Sequence, residues 1–279
     1  MTTNAFGHEV LEIRELVQDE AVRDYLANVL TRQLTILGST QPADHTREII
    51  ILAQTTDAKD YDSTVLAFTE DVFDMDIFKR ELERRIDIMY GEIVGFVGES
   101  PVLDYGCGSG GIGQLLRNAG HEVDFADIYK HRDIPKDAKF YDLSKKPDIP
   151  QKYQRLLLLT VAHHSNTPIQ TLENTASLLV SGRELVIIKS VYGVHKRDTP
   201  FERLNDEQQW KAAAFIDHFG NRFLLDRVHP INVPYNYQTP PQWKRSVEAL
   251  GLERRVHLDL RVDIPVVPEY HTLDVFKKL

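Results

Sequence analysis

The 279-residue sequence predicts an α/β protein, a doubly wound, mostly parallel sheet of seven strands preceded by an N-terminal helical cap. Three observations carry that expectation. Apolar residues recur at three and four positions through the first third of the chain, short apolar runs alternate with helical stretches from Pro101 onward, and a glycine-rich turn follows the first of those runs.

Residues 8–97 have the helical period, with Val10, Ile13 and Val17 on one face and Tyr25, Leu26, Val29, Leu30 and Leu34 grouped in the next segment. DIFKRELERRIDIMYGEIVGFVGESP predicts one long amphipathic helix, with Ile77, Leu82, Ile86, Met89, Ile93 and Val97 near one face and Gly98 and Pro101 closing it. The domain boundary therefore falls at its end, giving a helical region 1–98 and a second domain 99–279. Beyond it, PVLDYG, HEVDFADI, AKFYDL, QRLLLLTVA and ELVIIKSV are strands one to five. IGQLLRNAG is the helix after strand one. Between strands four and five TPIQTLENTASLLVSG is a helix that starts near Thr167-Pro168 and stops at Ser181-Gly182. WKAAAFIDHFGNRF and PPQWKRSVEALG are further helices, and RRVHLDL and HTLDVFKKL complete the sheet.

Charge separates the two regions. The net charge of −9 is −11 in residues 1–99, which hold 9 basic and 20 acidic residues, offset by +2 in the remainder, which holds 24 and 22. Neither part offers the basic face that phosphate neutralisation needs, so no nucleic-acid partner is expected. No apolar run approaches the roughly 18–20 residues of a membrane span, and the acidic start does not have the pattern of a signal peptide. The single cysteine, Cys107, excludes an intrachain disulfide and a thiolate zinc cluster. These features fit a cytoplasmic protein with no metal and no membrane partner, and say nothing of its oligomeric state.

The most informative segment is VLDYGCGSGGIGQLL. Glycines between a strand and a helix let the backbone approach a ligand, and the helix N-terminus turns free N–H groups toward it. Gly106, Gly108 and Gly111 fit G-x-G-x-x-G with Asp127 about twenty residues on, which by itself leaves an NAD-linked oxidoreductase open.

Asp104, two residues before Gly106, followed by Gly106, Cys107, Gly108, Ser109 and Gly110, resembles motif I of the class I S-adenosylmethionine-dependent methyltransferases, and the likeness runs over roughly residues 100–279. The resemblance implies a Rossmann-like methyltransferase fold with an antiparallel seventh strand. It also implies that S-adenosyl-L-methionine is held by the loop, by Asp127 at the ribose hydroxyls, by Asp142 at the adenine amino group, and by Ile128, Leu143 and Thr160 beside them. The segment TVAHHS after strand four resembles the part of the family that lines the methyl-transfer site. His163 and His164 are therefore the candidate acid/base residues, with His195 and His218 as rivals, because imidazole exchanges protons near neutral pH. Adjacent residues at the end of an extended strand point to opposite sides, so only one of the pair is expected to face the cofactor. Cys107 is read as packing.

Two segments offer a substrate wall. IDHFGNRF brings His218, Asn221 and Arg222 within one helical turn, and INVPYNYQTPPQW presents Tyr235, Asn236 and Tyr237 on a loop, a polar and aromatic set suited to a small, partly planar compound. The expectation is methyl transfer to oxygen or nitrogen of a small molecule; a protein or nucleic-acid acceptor is the alternative.

Overall fold

In the computed structural model the described residues are 3–9, 11–98, 101–151, 153–224, 232–262 and 267–279. Val10 lies outside them. They form two compact units. One joins Met1–Leu82 with Ser190–Pro240 and Leu260–His271, and the other comprises Glu83–Lys189, Pro241–Asp259 and Thr272–Leu279.

The helical unit begins later than the periodicity suggests. Residues 3–9 make a tight turn closed by an antiparallel bridge between Thr3 and Glu9, because the Asn4 side chain accepts the Phe6 and His8 amides and Gly7 supplies a left-handed φ of 80°. Then come α1 (Ile13–Leu16), α2 (Glu20–Ile36), α3 (Pro42–Thr55), α4 (Ala58–Phe68) and α5 (Met75–Val97). Asp19 caps α2 by accepting the Ala21 and Val22 amides, and Asp74 does the same for α5 with Asp76 and Ile77. Leu26, Leu30, Leu34, Ile49 and Val65 are fully or almost fully buried, as the period requires. The same unit holds α8 (Asp206–Phe219), which starts in an Asn205–Gln208 capping box and continues into a π turn, Gly220–Leu224. The sequence places a boundary at 98/99, where α5 ends; the compact units divide within α5, and residues 190–240 belong with the N-terminal helices.

The seven-stranded sheet has the order β3-β2-β1-β4-β5-β7-β6, built from β1 (Val102–Tyr105), β2 (Val123–Asp127), β3 (Phe140–Asp142), β4 (Tyr153–Leu159), β5 (Leu179–Ser190), β6 (Leu252–Val262) and β7 (Tyr270–Lys278). β3, β2, β1, β4 and β5 are parallel, with one antiparallel hairpin at the edge. Every residue of β1 and β2 is buried, the signature of strands covered on both faces. α6 (Gly111–Asn118), α7 (Pro168–Leu178) and α9 (Pro240–Glu248) are the associated helices.

One boundary differs. α7 stops at Leu178 and Ser181-Gly182 lies inside β5, where Tyr153 pairs with Leu179 and Arg155 with Glu184, so two residues of advance on β4 match five on β5. Gly182, at φ 80°, makes this bulge possible, which is why it looks like a helix stop in sequence. Among the described residues no helix is long and apolar enough to cross a membrane.

Candidate cofactor site

The site grows from the carboxyl ends of β1 and β2. The Gly106 and Cys107 amides both donate to the Ala126 carbonyl, at 2.7 and 3.1 Å, which ties the start of the loop to β2. Gly106, Gly108 and Gly110 then take φ of 76°, 52° and 76°, a left-handed alternation that side chains resist. At Gly106 the reason is also space: a Cβ would stand 2.4 Å from Val161 Cγ2. At Gly108 a Cβ would meet nothing within 4 Å, so the middle of the loop opens onto free volume.

Asp127, the last residue of β2, is buried and braces the loop: Oδ2 accepts the Gly108 amide at 2.7 Å and Oδ1 accepts the Ile128 amide at 2.7 Å. Each oxygen keeps acceptor capacity for a further donor. Ile128 and Tyr129, next along the chain, are 69% and 56% exposed, an apolar platform beside an anchored carboxylate.

Asp104 is buried below the loop. It accepts the Gly113 amide, and its Oδ2 has no hydrogen-bond partner among the described residues; burial, with the Asp127 charge adding to it, pushes this carboxyl up to about 7. Burial and the neighbouring Asp104 and Asp127 also push the Cys107 thiol far up, which leaves it protonated and makes it no nucleophile.

Asp142 ends β3 in register with Asp127 but has a different role. Its Oδ1 accepts the Ser144 amide and hydroxyl, and its Oδ2 pairs with Lys145 at 2.6 Å, interactions that hold its pKa below the usual carboxylate value, Lys145 foremost. It caps the single turn Leu143–Lys145, and Leu143 is half-buried in that turn.

After β4 the chain departs from the extended path. Thr160 has φ 58°, costly for a β-branched residue, with its amide fixed to the Ile188 carbonyl at 2.8 Å. Val161 follows in the right-handed region, so His163 and His164 lie on a 3₁₀ turn, Ala162–His164, and not on a strand end. Strand alternation does not apply to them. Their rings are 4.1 Å apart; His163 is buried and His164 half-buried.

The residues expected to form a substrate wall cluster in the helical unit. The Tyr237 hydroxyl and the Asn221 amide both donate to the Asp217 carboxylate, which is completely buried and raised well above the ordinary range by burial and then by Glu269. His218 lies between Tyr235, 2.6 Å from Nδ1, and Asp62, 2.7 Å from Nε2. Arg222 contributes its charge to Asp62 and Tyr235. Asn236 accepts the Ala5 amide at 2.9 Å. His195 is half-exposed and pairs with Asp206 at 2.6 Å. Asp62, Asp217 and Glu269 escape a reading by local motif, because their partners are distant in sequence. Among the described residues no group of three or more His, Cys, Asp or Glu could hold a metal.

No family model matches the chain, and no curated protein matches its sequence. Solved structures do match in three dimensions. The chain has the class I methyltransferase fold. The geranyl diphosphate C-methyltransferase of Streptomyces coelicolor, solved with Mg²⁺, geranyl diphosphate and S-adenosyl-L-homocysteine, has a TM-score of 0.51 at 11% identity over 74% of this chain and 84% of that one. The mitomycin 7-O-methyltransferase MmcR has a TM-score of 0.50 at 13% identity over 95% of this chain and 74% of that one. At such identities the likeness concerns architecture.

Proposed function

We propose that this protein is an S-adenosylmethionine-dependent methyltransferase that methylates oxygen or nitrogen of a small molecule. The observation that carries the reading is the Asp127 carboxylate, buried, anchored on the Gly108 amide, and set beside a loop of three left-handed glycines at the carboxyl edge of the sheet. The chain's own groups fit the cofactor. Asp127 has acceptor capacity for ribose hydroxyls, the free volume at Gly108 admits a ligand against the backbone, and Ile128 offers apolar area to an adenine ring. Asp142 supports the reading less, since its cap and its ion pair already engage both oxygens. Small-molecule chemistry is supported by the sequence, which offers no basic face for nucleic-acid phosphates.

The cofactor supplies a methyl group already activated by a sulfonium. What remains for the chain is to bind, to exclude water, to hold the acceptor for an in-line displacement and to remove at most one proton. His163 and His164, which follow β4 in the same unit as the glycine loop, stay candidates for that proton.

The reading is tested by melting the protein with S-adenosylhomocysteine and with NAD. At a hundred times the dissociation constant a ligand adds about 2.7 kcal/mol, a rise of a few degrees for a chain of this size. S-adenosylhomocysteine should produce the rise and NAD none; stabilisation by NAD alone replaces the reading with the oxidoreductase. Incubating a metabolite extract with methyl-labelled cofactor then identifies the acceptor.

A further inference from the structure

Only residues 37–41 join α2 to α3, so the two helices pack as an antiparallel hairpin. Along it runs a groove of about 580 Å³, a volume in the range of small-ligand pockets, lined entirely by residues of the helical unit. The lining residues of α2 all fall on the repeats of three and four that start at Arg23, and those of α3 on the repeats that start at Ala43. Each helix therefore gives the groove one face.

Two independent observations mark this groove. The first is charge. Residues 1–82 hold 7 basic and 16 acidic residues, yet the groove is lined by Arg23, Arg32 and Arg47 against the single carboxylate of Asp24. Arg32 is exposed and has no hydrogen-bond or ion-pair partner among the described residues. Arg47 holds Asp44 at 2.9 Å with both side chains more than half exposed, a pair that contributes little and yields to a better acceptor. Arg23 is tied to the Val17 and Gln18 carbonyls and shares its end of the groove with Asp24.

The second observation is Thr46, which lines the groove at 1% exposure and whose hydroxyl has no hydrogen-bond partner among the described residues. Helical threonines can donate back to the carbonyl four residues earlier, as Thr35 does to Thr31 at 2.7 Å on α2 and Thr55 to Ile51 at 2.8 Å on α3. Thr46 makes no such bond to Pro42. A buried hydroxyl without a partner is costly, and an acceptor brought by a ligand removes that cost. In an antiparallel hairpin Arg32, near the end of α2, stands at the same end of the groove as Thr46 and Arg47, near the start of α3. Ala27, Ile50 and Ile51 line the middle, and Ile51 is 40% exposed.

We propose that the groove is a binding site for a phosphate monoester with a short apolar body, the phosphate held by Arg32, Arg47 and the Thr46 hydroxyl and the body lying over Ala27, Ile50 and Ile51. A phosphate monoester carries close to two negative charges at neutral pH and presents three acceptor oxygens, which match two guanidinium forks and one hydroxyl. A carboxylate carries one charge and matches one of the two guanidinium groups. Inorganic phosphate leaves the apolar middle in water. The site goes beyond the methyltransferase reading and does not rest on it.

Titration calorimetry of the full-length protein with hexyl phosphate tests the proposal. One molecule should bind per chain, and hexanoate, inorganic phosphate and hexanol should each bind about fivefold or more weakly than it does. In Arg32→Gln, an exposed position whose change leaves the fold intact, the affinity for hexyl phosphate should fall about tenfold, and it should decline in the wild type as salt is added. Thr46→Val removes the hydroxyl and keeps the shape. Without ligand this variant should unfold at a urea midpoint equal to or above that of the wild type, because no partner is lost, while its affinity for hexyl phosphate falls about fivefold. Amide resonances of Arg32, Thr46, Arg47 and Ile50 should shift on binding and those of Gly106–Gly110 should not. Shifts confined to Gly106–Gly110 place the phosphate on the glycine loop and overturn the groove, as does unchanged affinity in both variants or no binding at all. Equal binding of hexanoate or hexanol overturns the phosphate head, and equal binding of inorganic phosphate overturns the apolar body. Each of these results is independent of the S-adenosylhomocysteine melt.

Discussion

Asp127 and Asp142 stand in register on neighbouring strands, and the same motif logic points to both. Their surroundings separate them: one carboxylate is buried and braces the loop through two amides, the other is committed to Ser144 and Lys145. Asp127→Ala should therefore weaken S-adenosylhomocysteine binding far more than Asp142→Ala, since charge-assisted bonds to two hydroxyls are worth roughly 1.5–3 kcal/mol each. Calorimetry that finds equal losses refutes that assignment. Asp104 makes a second prediction at this scale, through pH. Its folded-state value, about 7, lies above the unfolded carboxylate near 4, so between those two values the unfolded chain releases its proton while the folded one retains it. Wild-type stability should fall relative to Asp104→Asn as pH rises from about 4 to 7 and run parallel to it above 7, each tenfold difference in proton affinity costing about 1.4 kcal/mol. Urea melts across pH 4–9 check the sign; a stability difference that does not change with pH contradicts it.

The elements were legible wherever the period was uninterrupted. Every residue of β1 and β2 is buried, and β4 ends in the buried apolar run Leu156–Leu159. Legibility ended at the segment after β4. Nothing in TVAHHS announces that Thr160 turns left-handed, because threonine disfavours that region and only the tie to Ile188 holds it there. The consequence is a histidine pair on one 3₁₀ turn with unequal burial. His163→Ala, which empties a buried site, should cost roughly 2–4 kcal/mol, and His164→Ala less than about 1 kcal/mol, read as shifts in urea midpoint at constant slope. Equal costs mean that the two rings share their support. Gly182 taught the converse lesson: the same left-handed glycine serves a helix end and a strand bulge, and only the pairing of Arg155 with Glu184 distinguishes them.

At the scale of the molecule, sequence reading finds what is continuous in the chain and misses what is assembled from its parts. The glycine loop, Asp104 and Asp127 lie within 24 residues, so the candidate cofactor site is legible in one stretch of chain. The Asp62–His218–Tyr235 row draws on residues up to 173 positions apart, and so does the helical unit, whose N-terminal helices share a core with residues 190–240. Gln208 on α8 donates to Asp19 at the start of α2, and Tyr25 on α2 packs against Phe201 with ring centroids 5.6 Å apart. This sharing ties the first 82 residues to α8 within one unit. A chain beginning at Gly98 would leave Phe201, Trp210, Ala213, Phe215 and Phe219, all buried in the intact protein, without the helices of their own unit. Such a chain should aggregate or, where soluble, be cleaved by protease between residues 190 and 224 much faster than the full-length protein, whose same segment should resist until global unfolding. A soluble truncated chain with equal resistance there would mean that residues 190–240 fold without the N-terminal helices, and that the boundary at 98/99 divides independent domains after all.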